Sequence, residues 1–518
     1  MRIPLLLYGL ALAVRVVLIW HFPYPGYPDS FYYVDVARAL TAGDGFNIDF
    51  IWIFPEVGGG LPANPSLPIP SNAHWMPLAS LIQVPFLAVF GDVAWASALP
   101  FALTGAIAAP LTWAIARDAG ARSSVAIGAG FLTAVPVLSL VYMTQPDNFS
   151  LYQPLVIGAL WMGARGLKGS GRSFVLAGLL AGLATWSRND GLLVLVALGL
   201  AFAWDRWRAW RSRGAHGPAI PFAAAIGCVV VFVAVMAPWW WRQLEVFGSL
   251  SPSTASGKVL FIREIGEWNS ITTPSTLDYL LGQGIGPLVA SRIGGLVAAL
   301  MIYTTLVAGF VLAPFMLIGA WARRRSLDFG PFFLYGGLLF AFSALVSAVH
   351  VPGGTFIHSA VALAPHSYIL ALEGIAVAVR WVAARRRTWD VRVATRAFTG
   401  AALVFAALAA AVGSLFVHEV WAARTDVYRT VAAAIDRAGG SASDRVMSID
   451  AAGMRYWSGR GGVVLVNDPL DTIEDVVRAY DIRWLVLDRA DSVDAMAPIL
   501  DGGPRPAWLG EPVLAQGE

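Results

Sequence analysis

Long apolar runs separated by short basic clusters extend along most of this 518-residue sequence. A membrane-spanning helix needs about 20 apolar residues, because every backbone polar group inside the bilayer has to be paired within the helix. Only 13% of the residues are charged, about half the share in soluble domains, and this excludes an ordinary soluble enzyme. Lys and Arg (36) nearly balance Asp and Glu (33), which gives no indication of nucleic-acid binding. The candidate spans are eleven runs: 3–20, 94–116, 123–143, 149–164, 173–187, 191–207, 218–241, 296–321, 330–349, 359–380 and 397–417.

Five basic clusters lie between these runs and determine the predicted orientation. The positive-inside rule assigns such clusters to the cytoplasmic side. The apolar run Met76–Gly91 would invert all five if it crossed the membrane, and it is short and contains Gln83 and Pro85. We therefore expect it to be a helix lying at the outer interface, with the N-terminus of the chain inside. The clusters are Arg117/Arg122, Arg165/Lys168/Arg172, Arg206/Arg208/Arg211/Arg213, Arg323/Arg324/Arg325 and Arg385/Arg386/Arg387 with Arg392.

This orientation places four segments outside the membrane: 22–93, 242–295, 350–358 and the tail from residue 418. The tail alternates helical stretches, near 426–438 and 470–480, with short β-like runs, as in a small α/β unit. The predicted strands are 445–449, 463–466 and 484–488. The expected architecture is an all-α polytopic membrane domain of residues 1–417, with interfacial helices in its first outer loop, followed by an extracytoplasmic α/β domain of residues 418–518.

The predicted spans contain few ionisable residues. Arg15 lies near the outer end of the first span, where its side chain can reach the interface. Glu373 lies two helical turns before Arg380, with which we expect it to pair. A transporter usually carries ionisable residues along its pathway inside the spans. Their scarcity here, with unusual polar residues near the outer face, favours a site at the membrane surface over a channel.

Two aspartates at the outer face are candidates for chemistry. Asp29 follows Pro28 at the start of a predicted interfacial helix that ends at Gly43, so it is either an N-cap or a carboxylate that takes a proton from an acceptor hydroxyl. Asp147 lies in a tight turn after Pro146, where it is either a solvated turn residue or a ligand for a polar group. The residue pattern leaves both alternatives open.

The segment Arg188–Asp190 is predicted to lie below the outer membrane surface. The preceding helix, 173–187, has 15 residues and is about 22 Å long, shorter than the hydrocarbon core of about 30 Å. A guanidinium at that depth needs a carboxylate, water or an anionic ligand. Arg188 therefore either pairs with Asp190 or binds a lipid phosphate, for which its planar fork is suited.

A Trp cluster, Trp239–Trp241, ends the seventh predicted span, where an interfacial anchor is expected. Arg242 follows it, and the loop beyond contains Lys258, Arg263 and Arg292, which either bind a headgroup or are solvated. Four histidines occur at or near the outer face, but their spacing matches no metal-binding signature, so interfacial packing is the default interpretation: His74, His350, His358 and His366.

Five motifs follow one another on the predicted outer side of the membrane. They are Pro28-Asp29-Ser30 with Tyr32-Tyr33, Ala37–Leu40 and Gly43–Gly45; Pro77-Leu78 to Phe90-Gly91; Gln145–Asp147; Thr185–Gly191; and Pro238–Gln243 with Val246–Ser249. Together they resemble the GT-C superfamily of polyprenyl-phosphate-sugar-dependent glycosyltransferases, in the branch of protein O-mannosyltransferases and lipid A aminoarabinose transferases. The resemblance covers about residues 1–260 motif by motif and the remainder by hydropathy. The chain lacks a Trp-Trp-Asp-Tyr-Gly segment, which disfavours an asparagine-modifying oligosaccharyltransferase.

The resemblance implies a membrane enzyme that transfers a sugar, with inversion, from a polyprenyl-phosphate donor to a hydroxyl of a protein, lipid or polysaccharide acceptor. Its location would be the plasma or inner membrane, with the active site and the tail outside. The family's acidic residue after the first span, its proposed catalytic base, corresponds to Asp29. The other candidate site residues are Arg188, Arg242, Lys258 and Arg263 for the donor phosphate, and Asp147, Asp190 and His74 for positioning the acceptor or sugar.

The resemblance also bears on a metal ion and on the distance between two of the candidate residues. Many relatives have a charged residue where His74-Trp75-Met76 stands, so a divalent metal is left open, and no other cofactor is expected. The assignment also requires Asp29 and Arg188 to lie close together on the same side of the membrane.

Three other classes of protein fit parts of the pattern. A transporter or flippase of lipid-linked glycans needs polar residues along a path through the spans, which mostly lack them. An O-antigen ligase or polymerase typically uses Arg and His on one large late outer loop, and substitutions of Arg263 and His350 compared with Asp29 would separate that class. A non-catalytic envelope scaffold would use the tail as a binding module.

Overall fold

Helices form most of the chain, so the predicted polytopic helical class is confirmed. The computed structural model describes residues 2–212, 217–349, 355–386, 388–489 and 491–515, and Arg213, His350 and Arg387 lie outside these residues. The α-helices are α1 Arg2–His21, α2 Pro28–Ala42, α3 Leu78–Leu81, α4 Val84–Phe90, α5 Ala94–Gly105, α6 Ala108–Asp118, α7 Ser123–Ala134, α8 Phe149–Leu167, α9 Gly171–Ser187, α10 Leu192–Arg211, α11 Phe222–Phe247, α12 Leu277–Leu281, α13 Ile285–Ile302, α14 Ala313–Arg323, α15 Gly330–Leu345, α16 Thr355–Ala360, α17 Ala364–Ala383, α18 Val391–Arg437, α19 Ala451–Ser458, α20 Leu470–Ala479 and α21 Ala497–Leu500.

Within the described ranges, seven helical segments are long and apolar enough to cross a membrane, judged by length and composition. The four other predicted spans coincide with α7, α8, α9 and α10, which are shorter, less apolar or more charged. The count of eleven spans therefore stays a prediction. The seven segments are Arg2–His21, Ala94–Asp118, Phe222–Phe247, Ile285–Val307, Leu327–Leu345, Thr355–Ala383 and Val391–Arg437.

One predicted span is divided into two helices. The run 296–321 is expected to be a single span, but α13 begins earlier, at Ile285, and α14 begins only at Ala313. The chain turns between them at Gly309, whose φ of 72° lies in the left-handed region that glycine adopts without steric cost. The loop predicted at 242–295 is correspondingly shorter, because α11 continues to Phe247. We call residues 248–284 the long loop.

The apolar run at 76–91 forms the short helices α3 and α4. Together they cover Leu78–Phe90, about 20 Å, which is too short to cross the bilayer. Ser80 Oγ and Gln83 Nε2 donate hydrogen bonds of 3.1 and 3.3 Å to the carbonyl of Tyr33 in α2. The run packs on α2, in agreement with the prediction that it does not cross the membrane.

The tail, residues 418–518, shares a parallel sheet with the first loop, residues 22–93. Its strands lie in the order β2 Phe50–Ile51, β5 Gly462–Val464, β4 Arg445–Ser448 and β6 Ile482–Leu485, and each adjacent pair is parallel. Helices α19 and α20 connect the tail strands, as parallel strands require. A separate antiparallel pair, β1 Asn47–Ile48 and β3 Ile69–Pro70, lies in the first loop. The tail strands lie within about three residues of the predicted runs.

The predicted domain boundary at residue 418 falls inside one helix. Helix α18 has 47 residues and is about 70 Å long, so the last span and the first helix of the tail are a single element. The first loop also contributes Phe50 and Phe54 to a core that contains Val463 and Ile473 of the tail. The tail is therefore folded together with residues 22–93 and not apart from them.

Contrary to the prediction, the side chain of Arg15 does not extend to the membrane interface. Its side chain is fully buried, and its Nη1 donates hydrogen bonds of 3.1 and 3.2 Å to two backbone carbonyls. Helix α1 packs against α5, α6 and α7 on this side, and these helices enclose the guanidinium.

Glu373 pairs with Arg323 and not, as expected, with Arg380. The two side chains form hydrogen bonds of 2.7 and 2.5 Å. Helix α14 packs along α17 and brings the basic cluster at its end to Glu373. Glycines allow this contact, because a Cβ at Gly319 or Gly374 would overlap a backbone carbonyl oxygen of the facing helix.

Candidate active site

Asp29 is the second residue of α2 and lies in its first turn. Pro28 is the first helical residue and Tyr27, in an extended conformation, is the N-cap, with no side-chain capping hydrogen bond. The Oδ2 atom of Asp29 lies 3.3 Å from Nε2 of His358. Of the two alternatives for this residue, the structure therefore excludes the N-cap.

Asp147 is fully buried and is not a solvated turn residue. Its Oδ2 accepts a 2.8 Å hydrogen bond from the Tyr27 hydroxyl and lies 3.3 Å from His358 Nε2. The backbone N–H of Asn148 donates to its other oxygen. These contacts fix the carboxylate of Asp147 beside that of Asp29.

His358 is the residue that sequence reasoning missed. It lies in the short helix α16, and its ring stacks on Phe149 with the ring centroids 4.2 Å apart. Its Nε2 lies 3.3 Å from a carboxylate oxygen of Asp29 and 3.3 Å from one of Asp147. The available signal was a histidine at the start of a span on the same predicted side as two aspartates, but the sequence gives no distance between them.

Burial raises the pKa of Asp29 above its ordinary value. The hydrogen bond and charge of His358 oppose this shift, as does the positive charge of Arg188, whereas the nearby charge of Asp147 adds to it. A carboxylate with a raised pKa is a stronger proton acceptor than an exposed aspartate, which is what a general base requires.

Arg188 pairs with Asp190, one of the two alternatives for this residue, over 3.0 Å between Nε and Oδ1. Its Nε also lies 3.0 Å from Ser359 Oγ, and Ser359 donates to Asp190 as well. Ser359 is the chain neighbour of His358. We call Arg188–Asp190 the Arg188 turn. This turn and the Asp29 carboxylate are joined through two adjacent residues of α16, and they lie together as the assignment requires.

Ser256 of the long loop contacts both His74 and the Arg188 turn. Its Nδ1 lies 2.9 Å from Ser256 Oγ, and the same hydroxyl accepts a 3.3 Å hydrogen bond from Asn189 Nδ2. The carbonyl of His74 accepts a hydrogen bond of 2.6 Å from Ser253. The structure therefore brings His74 to the same region as Arg188.

Arg242 is half-buried and forms no ion pair within the described part of the chain. Its guanidinium donates to Ser71 O over 2.8 Å and lies over three aromatic rings, with its Cζ 4.8 to 5.6 Å from the ring centroids of Phe46, Trp239 and Phe247. The adjacent Gln243 donates to Asn72 O over 3.1 Å. This cation is not neutralised by a carboxylate, in contrast to Arg188.

Lys258 and Arg263 are engaged inside the long loop. Lys258 donates to the carbonyl of Ser270, and burial lowers the pKa of its ammonium group. Arg263 donates to the carbonyl of Tyr279 over 2.9 Å and stacks on the ring of that residue. The structure does not bring these two predicted phosphate ligands into contact with Asp29, Asp147 or His358.

Asp29, Asp147 and His358 also form a donor set for a metal ion. One ligand atom of each lies within 4.8 Å of those of the other two. Two carboxylate oxygens and an imidazole nitrogen are ligands that Zn²⁺ and Mn²⁺ accept. The three residues therefore fit a divalent cation.

The fold and part of the sequence match known glycosyltransferases. Residues 71–241 match the family described as dolichyl-phosphate-mannose-protein mannosyltransferase. ArnT from Cupriavidus metallidurans in the apo state has a similar fold, with a TM-score of 0.54 and 16% identity over 96% of this chain and 91% of that chain. The same protein bound to undecaprenyl phosphate gives a TM-score of 0.53 and 14% identity over 93% and 89% of the two chains.

The archaeal oligosaccharyltransferase AglB from Archaeoglobus fulgidus, in complex with an inhibitory peptide and a dolichol-phosphate, is also similar. Its TM-score is 0.51 and its identity 13%, over 93% of this chain and 69% of that chain. No curated protein sequence matches the chain. The fold is that of a GT-C membrane glycosyltransferase, and the resemblance predicted from the motifs, to the branch of ArnT and the protein mannosyltransferases, is confirmed.

Proposed function

We propose that this protein transfers a sugar from a polyprenyl-phosphate donor to an acceptor hydroxyl, with Asp29 as the general base. The observation that carries the proposal is the position of the Asp29 carboxylate, which is partly buried beside Asp147 and His358 and is joined through Ser359 to Arg188. The lipid phosphates in the structures of ArnT and AglB support a lipid-linked donor.

In the proposed reaction the acceptor oxygen attacks the anomeric carbon as the bond from that carbon to the phosphate oxygen breaks. The acceptor proton passes to Asp29, whose Oδ2 faces His358, so we assign the proton to Oδ1. The sugar is transferred to the acceptor with inverted configuration at the anomeric carbon. The lipid phosphate is the leaving group and takes the electron pair of the broken bond. General-base catalysis of this kind typically contributes about 10²–10⁴-fold in rate.

The leaving phosphate needs a fixed positive charge, because a preorganised cation stabilises developing charge without rearranging. Arg188 is largely neutralised by Asp190, whereas Arg242 forms no ion pair within the described residues. We therefore assign the principal charge to Arg242 and a hydrogen-bonding role to Arg188. Asp147 and His74 position the substrates in this proposal.

A divalent cation would be held by Asp29, Asp147 and His358, whose donor atoms fit one. Such an ion supplies Lewis-acid polarisation of a phosphate oxygen when it is bound. We propose that this site faces the extracytoplasmic side of the cell membrane, since the positive-inside rule assigns the five basic clusters to the cytoplasm and hence residues 22–93 to the other side.

The substitution Asp29→Asn tests the base. Purified protein would be incubated with a panel of polyprenyl-phosphate sugars, and consumption of each donor followed. We expect Asp29→Asn to reduce transfer by about 10²-fold or more, since the amide cannot take the proton. Asp44→Asn, an exposed position just beyond the same helix, is the matched control and should retain activity.

Near-normal turnover of Asp29→Asn would reject the base. The transporter alternative would be favoured instead if the unchanged protein moved a lipid-linked glycan across a vesicle membrane and transferred no sugar from any donor.

A further inference from the structure

Asp468 of the tail is buried and accepts four hydrogen bonds from the long loop. It follows β5, and only 5% of its surface is exposed. Its Oδ1 accepts from the hydroxyl of Ser270 over 2.6 Å and from both the hydroxyl and the backbone N–H of Thr272. Its Oδ2 accepts from the backbone N–H of Ile271 over 2.7 Å. An ionised carboxylate only accepts hydrogen bonds, and bonds to a charged acceptor are roughly twice as strong as neutral ones.

The preceding residue adds to this attachment. The backbone N–H of Asn467 donates to Asn269 O over 3.3 Å, and its side-chain amide donates to Gly266 O over 3.2 Å. Lys258 donates to Ser270 O inside the loop and thereby fixes the stretch that Asp468 holds. Residues 266–272 are fastened to the tail by backbone and side-chain contacts together.

The fastened stretch reaches the candidate active site through Trp268. This indole is 8% exposed, and its ring centroid lies 5.4 Å from that of His74. His74 contacts Ser256, and Ser256 contacts Asn189, the chain neighbour of Arg188. A continuous series of direct contacts therefore leads from Asp468 to the Arg188 turn, although Asp468 itself lies in the tail.

We propose that Asp468 is a positioning residue, which fixes the long loop so that His74 and Ser256 hold the Arg188 turn in place for Arg188 to hydrogen-bond the donor's lipid phosphate. The inference rests on the proposed function for the identity of the ligand. Asp468 acts only through the loop and does not touch the reacting groups. The tail is then needed to complete the site and is not merely attached to it.

Asp468→Asn is the principal test. The new amide NH₂ group is a hydrogen-bond donor, and it would face N–H or O–H donors of the long loop in place of a carboxylate oxygen that accepts from them. Asp475→Asn, at an exposed position on α20, is the control with the same change of charge. Limited tryptic cleavage of the full-length protein would be followed at Lys258 and Arg263 by mass spectrometry. We expect cleavage there to become about tenfold faster in Asp468→Asn, the effect of losing about 1.4 kcal/mol of local stability, and to be unchanged in Asp475→Asn.

Binding of undecaprenyl phosphate to the same variants separates loop fixation from its role at the site. We expect Asp468→Asn to weaken that binding by about tenfold or more, and Asp475→Asn to leave it unchanged. Thr272→Val removes one donor from the loop side and leaves the tail intact, so it tests the attachment even if Asp468→Asn does not fold. It should change both measurements in the same direction as Asp468→Asn, by a smaller amount.

Unchanged tryptic cleavage in both Asp468→Asn and Thr272→Val would show that the attachment does not hold the loop, and would overturn the proposal. Faster cleavage with unchanged binding of undecaprenyl phosphate would overturn it as well, since the loop would then not serve the site. If the unchanged protein binds no undecaprenyl phosphate, the proposed donor fails and the assignment to Asp468 of a role at the site fails with it, while the cleavage result still reports the attachment.

Discussion

Glu56 shows how one buried carboxyl group makes the stability of the first loop, residues 22–93, depend on pH. Its side chain is 6% exposed, and it accepts hydrogen bonds from the Tyr32 hydroxyl over 3.4 Å and the Trp52 N–H over 3.1 Å. Burial raises the pKa of Glu56 to about 7, although these hydrogen bonds oppose the shift. The folded state therefore binds the proton of Glu56 more tightly than the unfolded chain does.

The stability contribution of Glu56 should be present at low pH and lost as pH rises. It is complete below the unfolded pKa of about 4.5 and disappears as pH passes through about 7. At 1.36 kcal/mol per pKa unit the loss is roughly 3 kcal/mol at most. We expect the melting temperature of the solubilised protein to fall between pH 5 and pH 8, and Glu56→Gln to flatten that dependence. An identical pH profile for Glu56→Gln would contradict this origin.

The candidate site was partly predictable residue by residue. Asp29, Asp147 and the Arg188–Asp190 pair follow from local motifs, because the residues of each motif are adjacent in the chain. The meeting of Asp29 with His358 depends on how α2 and α16 pack, and spacing along the sequence carries no information about that distance. Lys258 and Arg263 looked equivalent to Arg242 as cations, but backbone carbonyls inside the long loop engage them.

At the scale of elements, the contact between α14 and α17 depends on glycine at the crossing. A Cβ at Gly374 would overlap the carbonyl oxygen of Phe315, and both helices would have to move apart. Their separation would also weaken the Arg323–Glu373 pair at the end of the contact. Close helix packing through small residues is a common source of stability in membrane bundles.

Gly374→Ala should therefore destabilise the protein by about 1–3 kcal/mol, the usual cost of overpacking. Gly400→Ala in α18 is the control, because nothing lies within 4 Å of the added carbon, and it should be neutral or slightly stabilising. Thermal unfolding in detergent compares the two variants. Equal melting temperatures would mean that the helices can separate there without cost.

Most of the predicted apolar runs coincide with helices of the structure. The exception is the run 296–321, where the apolar sequence continues through a turn at Gly309, so composition alone hides the break. The short helices α3 and α4 were predictable because the charge pattern, and not their apolarity, decides against a span. Glu373 was assigned a partner in its own helix, since sequence spacing reveals only neighbours along one helix.

For the whole molecule, the shared sheet means that the folding of the tail depends on the first loop, residues 22–93. A fragment of residues 418–518 lacks β2 and the aromatic residues Phe50 and Phe54, which pack against the tail strands. We expect this fragment to give a poorly dispersed NMR spectrum and no cooperative melting transition. A fragment of residues 22–93 added to it should restore order if the pairing of β2 with β5 is the missing contact. A well-dispersed spectrum for the isolated tail would contradict this dependence.

The unbroken course of α18 also links the lipid environment to the candidate site. Trp421 lies on this helix, its ring centroid is 5.5 Å from that of Tyr27, and it fills the space above Gly26. Tyr27 in turn holds Asp147 by its hydroxyl. A bilayer whose thickness changes the tilt of α18 moves the indole with it. Acyl-chain length in reconstituted vesicles is therefore a physical variable to which the proposed activity should respond.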